Sequence, residues 1–386
     1  VETKGLIVHA TLRTYTSVRE KRNAPMMERP QQIRDGIRLF EGKISRNLMV
    51  DPMVSHTYFL EDGDQVILFD PSCGKSIGRR VEEHIRRRRE ASASWNKAFV
   101  IAGHSHLDHA NNFYLADEVG APESHVYVHE SGFRDGKVMN DPTPFVRDIV
   151  RDSNKHYNMY LSFYFPYNLL LAPLALVNLF SPDLACTVFA ALGSLAFSSP
   201  NDGKAAPEPL KEEDRKELDL GGVKLAGWPL DDKVVIPTPG HSPCSVSLLW
   251  PAKKALFISD ADWVGNPVFV KSSLRDCISS LETMKALAEA GVVDLLLPAH
   301  GTVKQGADSI LSHLDFHVRR LETMRNEVLT LHHDSGVKDI RRLTRMLVRH
   351  SPLFRLFKGN NFPRFVCFVH NVVALCLIEE GILSTD

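Results

Sequence analysis

The sequence predicts an α/β fold that carries its chemistry on loops at the carboxyl ends of strands, and three observations point there. Four strand-like runs, Ala98–Ala102, Lys233–Ile236, Ala255–Ser259 and Leu295–Pro298, each lead into a histidine or a carboxylate. Helical patterns over residues 75–90 and 276–290 stand between strand-like stretches. The loop after the first run, Gly103-His104-Ser105-His106-Leu107-Asp108-His109-Ala110-Asn111-Asn112, holds three histidines and one aspartate within six residues. Open α/β sheets keep their ligand-binding groups at such strand ends.

Spacing gives this loop its meaning. His104 and His106 alternate along an extended segment and point to one side, while Asp108 and His109 fall where a turn aims them at a second point. Neutral imidazole and carboxylate suit Zn(II), Fe(II) or Mn(II). A solvated polar loop of hydrogen-bonded histidines is the plainer alternative. The later runs weigh against it. Pro237-Thr238-Pro239-Gly240-His241-Ser242 follows one strand, Asp260 ends the next, and Ala299-His300-Gly301 ends the last.

On these residues the sequence resembles the metallo-beta-lactamase-fold hydrolases, whose signature is His-x-His-x-Asp-His, then a His, a bridging Asp and a last His. The resemblance covers about residues 50 to 305, apart from an apolar insert. It implies a four-layer αββα sandwich with a helical insert and a helical C-terminal extension. It also implies a dinuclear centre: His104, His106 and His241 on the first metal; Asp108, His109 and His300 on the second; Asp260 bridging. Asp108 and Asp260 are the expected catalytic carboxylates, and zinc is the expected metal, with iron or manganese as alternatives. Asp70, at the end of the opening hairpin, is expected to orient a ligating imidazole without touching metal. Asn111-Asn112 stand where the family usually has Gly-Gly, and Ser259 stands where a Gly commonly precedes the bridging Asp. Neither change removes a ligand. Asp262 is the alternative bridge, disfavoured because the apolar strand ends at Asp260.

Bulk properties bound the rest. The 386 residues suffice for one domain with additions or for two. The expected division is an N-terminal arm with first strands (1–49), the main domain (50–305, with the insert at about 145–215) and a helical extension (306–386). The 46 basic and 47 acidic residues nearly cancel, so no electrostatic case exists for nucleic acid as a partner. Six scattered cysteines without CxxC pairs fit a reducing compartment, and no secretory h-region opens the chain, so a cytoplasmic protein is expected.

Residues 11–36 read as a polar surface arm, and Thr57–Leu60 with Gln65–Asp70 as a hairpin around Glu61-Asp62-Gly63-Asp64. His56 reads as a core histidine. The helix over 75–90 ends in Arg86–Arg89, which spread around its axis as a solvated end. Asn112–Val119 reads as a helix, and His125–His129 as a strand whose two histidines are structural. Cys244, near His241, reads as a small packed residue.

Composition then shifts. From Leu161 to Ser198 only Asp183 is charged, yet Pro166, Pro173 and Pro182 cut the stretch below the roughly 20 apolar residues of a membrane span. A hydrophobic lid over the site is the first reading. A homodimer interface, a patch resting peripherally on a membrane, and the ordinary core of a helical insert are the alternatives. Tyr160, Tyr164 and Tyr167 are candidate substrate-pocket residues. Beyond His300, residues 309–331, 337–348 and 365–380 show helical periodicity. His313 and His317 stand one turn apart but lack a third ligand, so they are expected to face solvent. Arg341, Arg342, Arg345 and Arg349 form a basic stripe, read as a solvated face ahead of a phosphate contact.

The expected function is metal-dependent hydrolysis by a dinuclear centre and its bridging hydroxide. The apolar insert favours a small lipophilic substrate, a thioester, ester or lactone of a hydrophobic acid. Alternatives are a mononuclear iron persulfide dioxygenase, a phosphodiesterase, and a non-catalytic ligand- or membrane-binding protein of the same fold.

Overall fold

The computed structural model describes residues 30–42, 55–106, 108–134, 137–138, 176–177, 180–181, 184–185, 187–188, 206–263, 266–267, 272–351 and 362–383. The first sheet opens with β1 (Gln31–Arg34) and β2 (Ile37–Phe40), joined by a turn at Gly36. Only glycine suits that turn: φ is +76°, and a Cβ there would lie 2.5 Å from the Glu61 carbonyl oxygen. The sheet continues antiparallel through β3 (Thr57–Asp62) and β4 (Gln65–Phe69). Helix α1 (Lys75–Glu90) then returns the chain to β5 (Lys97–Ile101), which is parallel to β4. Helix α2 (Leu115–Val119) leads to β6 (Glu123–His129), parallel to β5. A small separate hairpin, β7 (Phe133–Arg134) with β8 (Lys137–Val138), precedes β9 (Pro207–Leu210), which closes the sheet beside β6.

The second sheet runs β10 (Lys216–Leu220), β11 (Val223–Leu230), β12 (Lys233–Pro237), β13 (Val246–Trp250), β14 (Ala255–Ser259), β15 (Leu295–Pro298) and β16 (Lys304–Gln305). All its pairings are antiparallel except β14 with β15, which need the crossover helix α3 (Leu274–Glu289). Helices α4 (Ala307–Ser335), α5 (Ile340–His350) and α6 (Phe362–Glu379) complete the described chain.

Side-chain alternation builds the layers. On β5, Phe99 and Ile101 point inward to meet Val235, Leu248 and Phe257 of the second sheet, while Ala98 and Val100 point outward to Ile77, Val81 and Ile85 of α1. On the far side, Leu256 and Leu296 pack against Leu281 and Met284 of α3 and Leu314 and Leu321 of α4. The architecture is therefore the four-layer αββα sandwich. Strands covered on both faces read as unbroken apolar runs, which is why β5, β14 and β15 are so plain in the sequence. Residues of α5 and α6, among them Leu343, Leu347, Val369 and Val373, join the core of the second sheet's outer face. The C-terminal helices thus share that core.

Two local expectations need correction. Residues 31–34 are an edge strand rather than part of a surface arm. The helix expected from Asn112 begins only at Leu115, because the Asn112 side chain donates to the Pro71 carbonyl at 3.0 Å and its backbone N–H to the Ser72 carbonyl at 3.2 Å. Among the described residues, no helix is long and apolar enough to cross a membrane.

One buried bond ties the sheets together: the Tyr58 hydroxyl donates to the Pro298 carbonyl at 2.7 Å, and its ring meets Phe257 edge-on. In Tyr58→Phe the carbonyl is left buried without this donor, so the unfolding free energy in urea is expected to fall by about 1–3 kcal/mol. An unchanged value would show that the bond contributes nothing.

Candidate metal centre

The site forms where strands of both sheets end side by side. Gly103 is the pivot: its N–H donates to Asp70 Oδ1 at 2.7 Å and its carbonyl accepts from the Val246 N–H at 2.7 Å. A Cβ here would sit 2.4 Å from the Ser259 Cβ and 2.7 Å from Asp70 Oδ1, so the loop begins at the residue that permits this approach. Asp70 (φ +52°) and Ser259 (φ +48°) both end their strands in the left-handed region, which costs a non-glycine residue about 1–3 kcal/mol. Both exits lie at the site.

All seven expected residues come together. His104, His106 and His241 bring one potential ligand atom each within 4.8 Å of one another, and so do Asp108, His109 and His300. In the first trio His241 Nε2 lies 3.0 Å from His106 Nδ1. In the second, His300 Nε2 lies 3.0 Å and His109 Nε2 3.4 Å from Asp108 Oδ2. Asp260 stands between the trios. Its Oδ2 lies 3.4 Å from His109, 3.5 Å from His241 and 3.9 Å from His104, and its Oδ1 lies 3.4 Å from His300. Ligands about 2.1 Å from a tetrahedral ion are about 3.4 Å from each other, so the spacing suits divalent ions. The orphaned atoms agree: His104 Nε2, His109 Nε2 and Asp260 Oδ1 are buried without a hydrogen-bond partner.

Behind these atoms, other side chains fix the rings. Asp70 Oδ2 lies 3.1 Å from His109 Nδ1, close enough for an ion pair but without a hydrogen bond. Three further contacts escape sequence reasoning. The Ser259 hydroxyl sits 3.2 Å from His104 Nδ1 and 3.3 Å from His109 Nδ1, so the departure from glycine adds a polar contact to both rings. Asn266 Oδ1 accepts from His241 Nδ1 at 2.7 Å, while its Nδ2 donates to the Asp260 carbonyl at 2.8 Å. His56 is buried as expected, and it also pins the last ligand loop: its Nε2 lies 3.1 Å from the Gly301 carbonyl and its N–H donates to the Ala299 carbonyl at 2.8 Å. Of these three, Ser259 alone left a signal, as an unusual residue in a familiar position.

The remaining candidates fall elsewhere. Asp262 makes no bridge; its Oδ2 is 2.7 Å from His313 Nε2. On α4, His313 and His317 turn toward Asp262 rather than both facing solvent: His317 is 2% exposed, while His313 stays partly exposed. His125 and His129 pair with Glu208 and Glu212, each at 2.9 Å. Cys244 is buried, its sulfur 3.4 Å from the Ser105 N–H. Arg342, Arg345 and Arg349 line a surface cavity of about 550 Å³ with Asp339, Met346 and His350. Tyr160, Tyr164 and Tyr167 lie outside the described residues.

Charge divides the cluster in two. Burial, reinforced by neighbouring imidazoles, holds His104 and His106 well below the usual histidine range, and burial lowers His241. Burial also disfavours a charged His109, but Asp108, Asp260 and Asp70 outweigh it and raise that ring well above its ordinary value. His300 is raised in the same way, its burial outweighed by Asp260 and Asp108. Both carboxylates are lowered in turn: burial disfavours their charge, but His109 and His300 prevail at Asp108, and His300 and His109 at Asp260. The shifts at His109 and His300 both favour the protonated ring in the ion-free protein. A metal must displace such protons, so loading is expected to release protons and apparent affinity to rise with pH. Calorimetry in two buffers of different ionisation enthalpy measures this. Loading with no proton release would contradict the charge pattern.

No curated protein matches the chain significantly. Among solved structures, the metallo-beta-lactamase family protein TTHA1429 from Thermus thermophilus is 16% identical, with a TM-score of 0.51 over 92% of this chain and 96% of its own. The stereoselective inverting sec-alkylsulfatase Pisa1 from Pseudomonas sp. is 13% identical, with a TM-score of 0.54 over 93% of this chain and 51% of its own. At such identities the likeness concerns the fold alone. A family model, that of the metallo-beta-lactamase superfamily, matches residues 50–293, a span that includes six of the seven clustered residues, with His300 just beyond it. With two stacked sheets, a helical layer on each outer face and the His/Asp cluster at their joined strand ends, the chain belongs to the metallo-beta-lactamase superfamily.

Proposed function

We propose that the protein is a metal-dependent hydrolase that holds two divalent ions, zinc foremost, and cleaves an ester, thioester or lactone of a lipophilic acid. The observation that carries the two-ion reading is Asp260: its Oδ2 approaches His109, His241 and His104, drawn from both trios, and its Oδ1 approaches His300. In this reading His104, His106 and His241 hold one ion, Asp108, His109 and His300 hold the other, and Asp260 sets the spacing. When bound, the ions supply water acidified toward hydroxide near neutral pH and Lewis acidity toward the scissile carbonyl.

The chain's own residues do the rest. Asp70, Ser259 and Asn266 hold the rings in one orientation, so little reorganisation accompanies reaction. Asp108 is the most open of the cluster's acidic groups, with its side chain 14% exposed against 4% for Asp260. It is placed to accept the proton of the attacking water at Oδ2 and to return it to the leaving alcohol or thiol. Water adds to the acyl carbon, the C–O or C–S bond breaks, and an acid and an alcohol or thiol leave.

The insert supports a lipophilic substrate. Leu176, Phe180, Leu184 and Val188 recur every four residues and are exposed, Phe180 at 89%. Helical bonds from Ser181 to Val177 and from Ala185 to Ser181 put that spacing on one face. We assign this apolar face to covering the acyl part of the substrate, with a homodimer contact or peripheral membrane contact as the other roles such a face can play.

The test is turnover of esters, thioesters and lactones of increasing acyl length by metal-replete protein, with a phosphodiester as counter-substrate. Acyl turnover is expected to rise with chain length, and Asp260→Asn, still folded by circular dichroism, to lose more than about 100-fold in kcat/KM. Turnover of the phosphodiester alone would overturn the substrate class. One iron per chain with oxygen consumption would overturn the hydrolase.

A further inference from the structure

The turn after β14 and the start of α4 bring together a second group of potential ligands. Asp262, His313 and His317 each offer one atom within 4.8 Å of the others. His313 and His317 are one helical turn apart on α4, their rings 4.6 Å between centroids, and Asp262 reaches them from a different element. The group borders the last ligand loop: a Cβ on Gly301 would lie 3.9 Å from Asp262 Oδ2.

A hydrogen bond between His313 and Asp262 accounts for two of these side chains at 2.7 Å. It does not account for His317. That ring is 2% exposed, yet its Nδ1 has no hydrogen-bond partner, which native interiors seldom tolerate. Burial holds the imidazole neutral, with the Arg320 guanidinium and His313 acting in the same direction, and the neutral form carries the lone pair an ion needs. Arg320 opposes a cation nearby, but Asp262 faces its charge and its Nη2 lies 3.5 Å from the Trp263 carbonyl.

We propose that Asp262, His313 and His317 form a separate mononuclear site for a zinc-type divalent cation, distinct from the seven-residue cluster. Two imidazoles and a carboxylate suit such an ion and leave a coordination position open. The partly exposed His313 side chain, at 15%, marks the solvent side. An ion about 2.1 Å from each ligand would replace the proton shared by His313 and Asp262.

The test uses the full chain loaded with Zn(II) or Co(II), freed of loose metal by dialysis and assayed by elemental analysis. His313→Ala and His317→Gln are each expected to bind about one equivalent fewer than the wild type and to lose one component of the Co(II) visible spectrum. His106→Ala is expected to lose ions from the other centre and keep this component, so failure of either site is read separately. Circular dichroism checks folding, and the more exposed His313 variant serves if His317→Gln does not fold. Folded variants that retain the wild-type stoichiometry and spectrum would overturn the proposal.

Discussion

The structure depends on one electrostatic constraint: four buried imidazoles and the buried Asp260 meet the half-buried Asp108 and His300 where the strand ends of two sheets come together. Polar groups taken from water must be paired, and the low dielectric that weakens hydration strengthens every interaction left inside. Some of these groups pair with each other, as His300 does with Asp108. Others, including His104 Nε2 and Asp260 Oδ1, find no hydrogen-bond partner. The His/Asp cluster suggests divalent ions, which would give these buried groups the partners they lack.

The sandwich exists around that constraint. Two sheets covered by helices on their outer faces form a rigid frame, and Gly103 lets the first ligand loop approach Ser259 and Asp70 closely enough for both sheets to contribute. Tyr58 to Pro298 and His56 to Gly301 fasten the end of β15 to the opposite sheet, so His300 arrives from a strand whose position is already fixed. The C-terminal helices complete the outer layer of the second sheet, and α4 carries His313 and His317 to Asp262 as it does so.

The His/Asp cluster is legible because its members follow apolar strands that lead into a histidine or an aspartate. Helices α1 and α3 were legible through their periodicity. What stayed hidden depends on distance along the chain. Asn266 meets His241 across 25 residues, and His56 meets Gly301 across 245, with nothing in either segment to mark the pairing. Periodicity placed His313 and His317 on one helical face, but the direction of that face is decided by packing against the turn that holds Asp262. Asn112 carried a helical pattern, and its side chain instead bonded to the strand exit at Pro71. The edge strand β1 was hidden because its exposed, polar residues look like an arm until they pair with β2.

Whether two ions occupy the cluster is decided by anomalous diffraction from crystals of the zinc-loaded protein, collected on either side of the zinc absorption edge. One peak is expected enclosed by His104, His106 and His241, and another enclosed by Asp108, His109 and His300, with Asp260 between them. A seven-residue cluster without anomalous density, in protein shown to contain zinc, would contradict the dinuclear centre.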